Sequence, residues 1–222
     1  MSFNRNREPT FHSQEMVFGT RVLWSGAKKV ASSAAAKSDK PTFLIVTSIG
    51  NPDKDYAGSR HNTGKLLLQM TRHKFFPHPK LRGVEYAVDL ERPNVLYLQT
   101  LNYMNVCGVV VKPAWHLFSR LKSIDYNVQY AVVHDELSKD LGEVQLRSGK
   151  ASPRGHNGLK NISKMCHVEY HRIGIGIGRP ESRDPYDVAD YVLGVQSRHE
   201  RQTLEQESFP KMMKIIDDLR NS

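Results

Sequence analysis

Apolar and polar positions fall into two rhythms along this chain. Residues 42–49 form an apolar run of the kind a strand buried on both faces needs. Shorter runs predict further strands over 84–90, 95–100, 128–133, 143–146 and 172–177. Between them the spacing turns helical. Leu66, Leu67 and Met70 mark a helix over 65–74, and others are predicted over 106–120, 159–165 and 198–220. Ser197 with Glu200 three residues on is a capping box for the last of these. Pro210 should kink or split that helix, and Pro113 should disturb the second by removing the amide that would pair with Val109. Strands alternating with helices imply one α/β domain over residues 41–222. Its expected core is a twisted, mixed, mostly parallel sheet flanked by helices.

Residues 1–40 have a different texture. They hold seven Lys/Arg against three Asp/Glu, and a run of small residues over 31–38 lacks core-building periodicity. This stretch reads as a basic extension, either disordered or a targeting segment. A mitochondrial address and a cytoplasmic one both stay open, because Glu8, Pro9 and Glu15 interrupt a clean presequence. The whole chain carries a formal charge of +9 over 222 residues, which favours an anionic partner such as nucleic acid or a membrane surface. No apolar run approaches the roughly 20 residues that span a bilayer, so a membrane-embedded protein is not expected. Cys107 and Cys166 lack paired spacing, and the ten histidines contain no H-E-x-x-H. Neither a disulfide framework nor a metal site is expected, and no cofactor.

Candidate chemistry collects where apolar segments end. Residues 50–64 read GNPDKDYAGSRHNTG and follow the first strand. Tyr103-Met104-Asn105 opens a helix, His134-Asp135 follows the 128–133 run, and His156-Asn157 precedes another helix. Open α/β sheets gather such ends at one edge. A His, an Asp and several Asn in one cleft form a hydrolytic kit. The imidazole takes a proton from water, the carboxylate fixes its tautomer, and the amides hold the carbonyl. Gly174-Ile175-Gly176-Ile177-Gly178 lies within a strand pattern rather than opening a helix, so it suits close backbone approach better than a dinucleotide. Basic residues lie near the same clusters and, with Tyr56 and Tyr103, suit a single-stranded nucleic-acid end.

Five motifs in order resemble the bacterial-type peptidyl-tRNA hydrolases. They are G-N-P-x-x-x-Y-x-x-x-R-H-N-x-G from Gly50, Tyr103-Met104-Asn105 with Gly108, His134-Asp135-Glu136-Leu137, Gly155-His156-Asn157-Gly158-Leu159-Lys160, and Gly176-Ile177-Gly178-Arg179-Pro180. The resemblance implies a monomer that cleaves the ester between a peptide and the 3′ ribose of tRNA, recycling tRNA from aborted translation. By position, His61 would be the general base and Asp135 would hold it in its basic form. Asn51 would contact the peptide, Asn105 and Asn157 would place the ester and the water, and Tyr56, Tyr103 and Met104 would shape the groove.

Departures from the family pattern also stand out. Ser48 and Asp53 replace two glycines, and Ala151-Ser152-Pro153-Arg154 replaces a glycine-rich approach to the G-H-N-G motif. Two basic positions that grip the tRNA 5′ phosphate in bacterial relatives fall near Ser148 and Gly174. Arg147, Lys150, Arg154 or Arg172 would then make the phosphate contacts. The Arg-Gly-His-Asn-Gly form is similar to eukaryotic, mitochondrial-like members. The altered glycines and missing clamp also suggest a competing reading, a non-catalytic RNA-binding protein on the same fold.

Overall fold

The computed structural model describes residues 40–222. The predicted extension over 1–40 lies, apart from Lys40, outside the described residues. Strand β1 (Thr42–Ser48) is buried at all seven positions. It is followed by the short helix α1 (Asp53–Tyr56), a 3₁₀ turn (Arg60–Asn62) and α2 (Thr63–Met70). Next come β2 (Phe76–His78), β3 (Leu81–Val88), β4 (Val95–Thr100), a second 3₁₀ turn (Met104–Val106) and α3 (Gly108–Lys122). The rest is β5 (Asn127–Glu136), β6 (Val144–Ser148), α4 (Asn157–Cys166), β7 (His171–Gly176), α5 (Pro185–Leu193), α6 (Arg198–Thr203) and α7 (Phe209–Arg220).

The seven strands make one sheet in the order β2-β3-β4-β1-β5-β7-β6. The central pairs β4/β1, β1/β5 and β5/β7 are parallel, and the pairs towards both edges are antiparallel. Period-two alternation along β1 sorts its side chains into two cores. Phe43 and Ile45 pack with Val111, Trp115 and Ile162 from α3 and α4. Leu44 and Val46 pack with Leu67, Leu68, Met212 and Ile216 from α2 and α7. Burial on both faces is why this strand reads as a continuous apolar run.

Several boundaries differ from expectation for physical reasons. Strand β5 runs three residues past Val133, because His134, Asp135 and Glu136 still find partners in Gly174, Ile175 and Gly176 of β7. Thus Asp135 sits in the strand rather than in the turn after it. Helix α3 continues through Pro113, whose missing amide falls opposite the exposed Val109. Pro210 does divide the last helix: a π turn over Leu204–Ser208 separates α6 from α7, widening the backbone just before the proline ring. Sequence periodicity did not predict β2 or α5. In the glycine run, a Cβ at Gly176 would run into the Asp140 carbonyl, so that residue admits a neighbouring backbone.

Candidate active site

The C-terminal ends of β1, β4 and β5 open onto one cavity of about 630 Å³. Its lining includes Asn51, Tyr56, His61, Tyr103, Asn105, Asp135, His156 and Asn157. Residues up to 142 positions apart in sequence (Asn51 and Leu193) thus share one cleft.

At its centre is Asp135, 3% exposed. A carboxylate can only accept, so His61 Nδ1–H donates to it, lying 2.9 Å from both oxygens. That tautomer leaves His61 Nε2 as a free lone pair. A second imidazole completes the carboxylate's shell: His156 Nε2 lies 3.1 Å from Asp135 Oδ1. His156 also caps α4, its Nδ1 accepting from the Leu159 amide at 3.3 Å, so its proton must sit on Nε2 and point at Asp135. Burial pulls the His61 pKa down, yet the charge of Asp135 and their hydrogen bond outweigh it and raise the value above 6.5. Burial likewise pushes Asp135 up, but the two imidazoles hold it far below the usual carboxylate range. Burial, helped by His156, takes His134 down to about 4. It is therefore neutral at physiological pH, with Nδ1–H donating to the Asp135 carbonyl at 2.7 Å.

The ligand atoms of His61, Asp135 and His156 lie within 4.8 Å of one another, so this trio could hold a metal ion. Both nitrogens facing the carboxylate carry protons in the hydrogen-bonded arrangement, and an ion would have to displace them.

Asn51 is oriented by the neighbouring loop. The Met104 amide donates to Asn51 Oδ1 at 2.9 Å, which fixes the carboxamide and leaves its Nδ2 without an acceptor among the described residues. Asn105 and Asn157 are exposed on the rim. Tyr56 and Tyr103 meet edge to face with ring centroids 6.4 Å apart. Met104 corrects an expectation. It is fully buried and supports the floor from beneath, so it has no surface with which to touch a substrate.

The basic residues separate clearly. Arg60 is held by Glu200 through contacts of 2.6 and 3.1 Å, by the Tyr191 carbonyl at 3.1 Å, and by the Tyr191 ring at 4.3 Å. It latches α5, which supplies Val188, Ala189, Val192 and Leu193 as an apolar wall. Arg154, Arg179 and Arg183 line the cavity. Arg147 is half-buried, while Lys150 makes an exposed pair with Glu169. Such exposed pairs are weak and readily exchange partners. Arg172, expected at a phosphate, is 2% exposed and donates to the Ser152 carbonyl at 3.2 Å. It braces the loop before α4 instead.

Sequence reasoning named the His156-Asn157 cluster but gave the role to Asn157 alone. His156, the second ring on Asp135, is the side chain missed there, and only its place in the G-H-N-G motif could have signalled it. The chain has counterparts among known proteins. A family model described as Peptidyl-tRNA hydrolase matches residues 44–221. A peptidyl-tRNA hydrolase of Saccharomyces cerevisiae is 37% identical over 185 residues, covering 78% of this chain and 94% of the relative. One from Rickettsia prowazekii is 31% identical over 187 residues, covering 81% and 91%. The crystal structure of the peptidyl-tRNA hydrolase of Acinetobacter baumannii superposes with a TM-score of 0.64 at 26% identity, covering 83% of this chain and 97% of that one. With the match spanning nearly all of the folded domain, and the five motifs gathered on one cleft, this chain belongs to the peptidyl-tRNA hydrolase family.

Proposed function

We propose that this protein hydrolyses the ester joining a peptide to the 3′ ribose of tRNA, releasing both for reuse after aborted translation. The observation that carries this reading is the His61 tautomer: with Nδ1–H donated to Asp135 at 2.9 Å, Nε2 is left basic in the cavity. Water bound at Nε2 loses a proton as it attacks the ester carbonyl, and Asp135 stabilises the imidazolium that forms. The free Nδ2 of Asn51 donates to the peptide, and Asn105 and Asn157 hold the ester and the water from the rim. The C–O bond to the 3′ oxygen of the terminal ribose breaks as that oxygen takes the proton back from the His61 imidazolium and leaves as the alcohol. Tyr56 and Tyr103 offer faces for stacking at the tRNA end. Arg147, Lys150 and Arg154 supply phosphate contacts in place of the missing clamp positions. A non-catalytic RNA binder has no use for a buried carboxylate shared by two imidazoles, and that alternative is not favoured.

The protein is proposed to act as a monomer. Among the described residues no helix is long and apolar enough to cross a membrane. Residues 1–40 are proposed as a separate basic extension. Their Lys/Arg excess and the eukaryotic form of the G-H-N-G motif support a mitochondrial address over a cytoplasmic one.

The deciding experiment compares wild type with His61→Ala on purified N-acyl-aminoacyl-tRNA. Loss of the base is expected to slow cleavage by about 10²–10⁴. Unchanged turnover by the variant would end the mechanism, and tRNA binding without cleavage by wild type would restore the binder.

A further inference from the structure

Lysine is almost never fully buried unless paired, and Lys65 of α2 is 1% exposed. Its stem crosses under Gly50, where an added Cβ would lie 2.5 Å from Lys65 Cδ. The ammonium emerges beneath the loop that carries Asn51. It donates to the Asn51 carbonyl at 3.2 Å and to Asp53 Oδ1 at 2.8 Å. The Asn62 carboxamide completes the arrangement: Oδ1 accepts from the Asn51 amide at 2.7 Å, and Nδ2 lies 3.1 Å from both the Asn51 carbonyl and Asp53 Oδ1. The main chain of Asn51 is thus held by side chains rather than by a strand or helix. Asp53 is also one of the two positions where a glycine of the family pattern is replaced.

We infer that Lys65, neutralised by Asp53, is a positioning residue that fixes the Asn51 backbone so that its carboxamide reaches the peptide of the substrate. This deepens the hydrolase reading and rests on it. Two anchors set the carboxamide: the Met104 amide holds its oxygen, and the Lys65–Asp53–Asn62 cluster holds the backbone from which it projects. A buried ammonium must recover its lost hydration through its partners. An apolar side chain of the same length would fill the space without that cost. What the charge adds is direction, because its donors converge on one carbonyl and one carboxylate. With the ammonium gone, the Asn51 peptide keeps only Asn62, and the carboxamide loses its fixed aim.

The test uses Lys65→Met, which keeps the stem and removes the charge, alone and combined with Asn51→Ala. Steady-state cleavage of N-acyl-aminoacyl-tRNA is expected to show KM raised about tenfold, the worth of one charge-assisted hydrogen bond. The kcat should stay within about twofold, since the base and its carboxylate are untouched. In the Asn51→Ala background the same change should leave KM where Asn51→Ala alone puts it. A folded Lys65→Met enzyme with wild-type KM would overturn the inference, as would a tenfold loss that persists without the Asn51 side chain. Should Lys65→Met not fold, Asp53→Ala decides, because Asp53 is half exposed. It is expected to raise KM about threefold by releasing the ammonium from its anchor, and an unmoved KM would refute the assignment. Absence of cleavage by wild type would overturn the hydrolase reading and this one with it. Normal wild-type cleavage with unmoved variants would overturn this one alone.

Discussion

Replacing Asp135 by Asn tests the site where its chemistry is most constrained. The carboxylate receives N–H groups from two imidazoles, at 2.9 Å from His61 and 3.1 Å from His156. An amide offers only one oxygen, so the NH₂ end must face an imidazole that also donates. His156 cannot change tautomer without giving up the cap of α4, because its Nδ1 accepts from the Leu159 amide. His61 has no such tie and is the ring that switches, moving its proton to Nε2 and losing its basic atom. The rate should therefore fall towards the upper end of the general-base range, about 10³–10⁴. The pH profile carries a second signature. In wild type the His61 pKa is above 6.5 because Asp135 outweighs burial, so cleavage fails as pH drops through that raised value and the ring becomes protonated. In Asp135→Asn only burial remains, and the residual activity should persist to a pH below 6.5. Single-turnover cleavage measured across about pH 5 to 9 reads both effects. A variant within threefold of wild type, or one whose acid limb does not move, would refute the assigned tautomer.

Two further outcomes follow from the same geometry. Arg154→Ala and Arg147→Ala should each flatten the dependence of log affinity for tRNA on log salt by about 0.7, one single-strand phosphate contact apiece. Arg172→Ala should leave that slope alone and instead lower cleavage through the loop it braces, and filter binding across a salt series separates the two behaviours. Arg60→Met removes the doubly bonded Glu200 contact and should lower stability by about 1–3 kcal/mol. Thermal unfolding gives that loss, and an unchanged melting temperature would show that α5 is held by its apolar face alone.

The central sheet was legible because its signal is local. Residues 42–49 are apolar without interruption since α2 and α7 cover one face and α3 and α4 the other. The elements that escaped prediction lack that signal. Helix α5 buries only Val192, so its apolar periodicity is faint, though Asp184 before Pro185 is a readable start in which the Asp184 side chain accepts from the Tyr186 amide at 2.8 Å. Strand β2 is three residues with a proline at its centre, which reads as a turn.

The site divides along the same line. His61, Asp135 and Asn51 could be placed together because each lies at or beyond the C-terminal end of a parallel strand, and parallel strands end at one edge. His156 and Lys65 resisted for opposite reasons. Histidine is not a residue that capping preferences flag, so a ring serving α4 and Asp135 at once had no signature outside its motif. A lysine between a glycine and three apolar residues reads as one turn of a helix's wet face, and only the carboxylate of Asp53, twelve residues earlier and 2.8 Å away in space, explains its burial. The groups that touch substrate follow from strand order, whereas the groups that aim them depend on contacts between loops, and sequence periodicity does not encode those. In this protein the second class carries the replacements at Asp53 and at Ala151 to Arg154. Its departures from the family pattern therefore fall among the groups proposed to hold the peptide and the tRNA end, while the imidazole–carboxylate pair proposed to activate water is left intact.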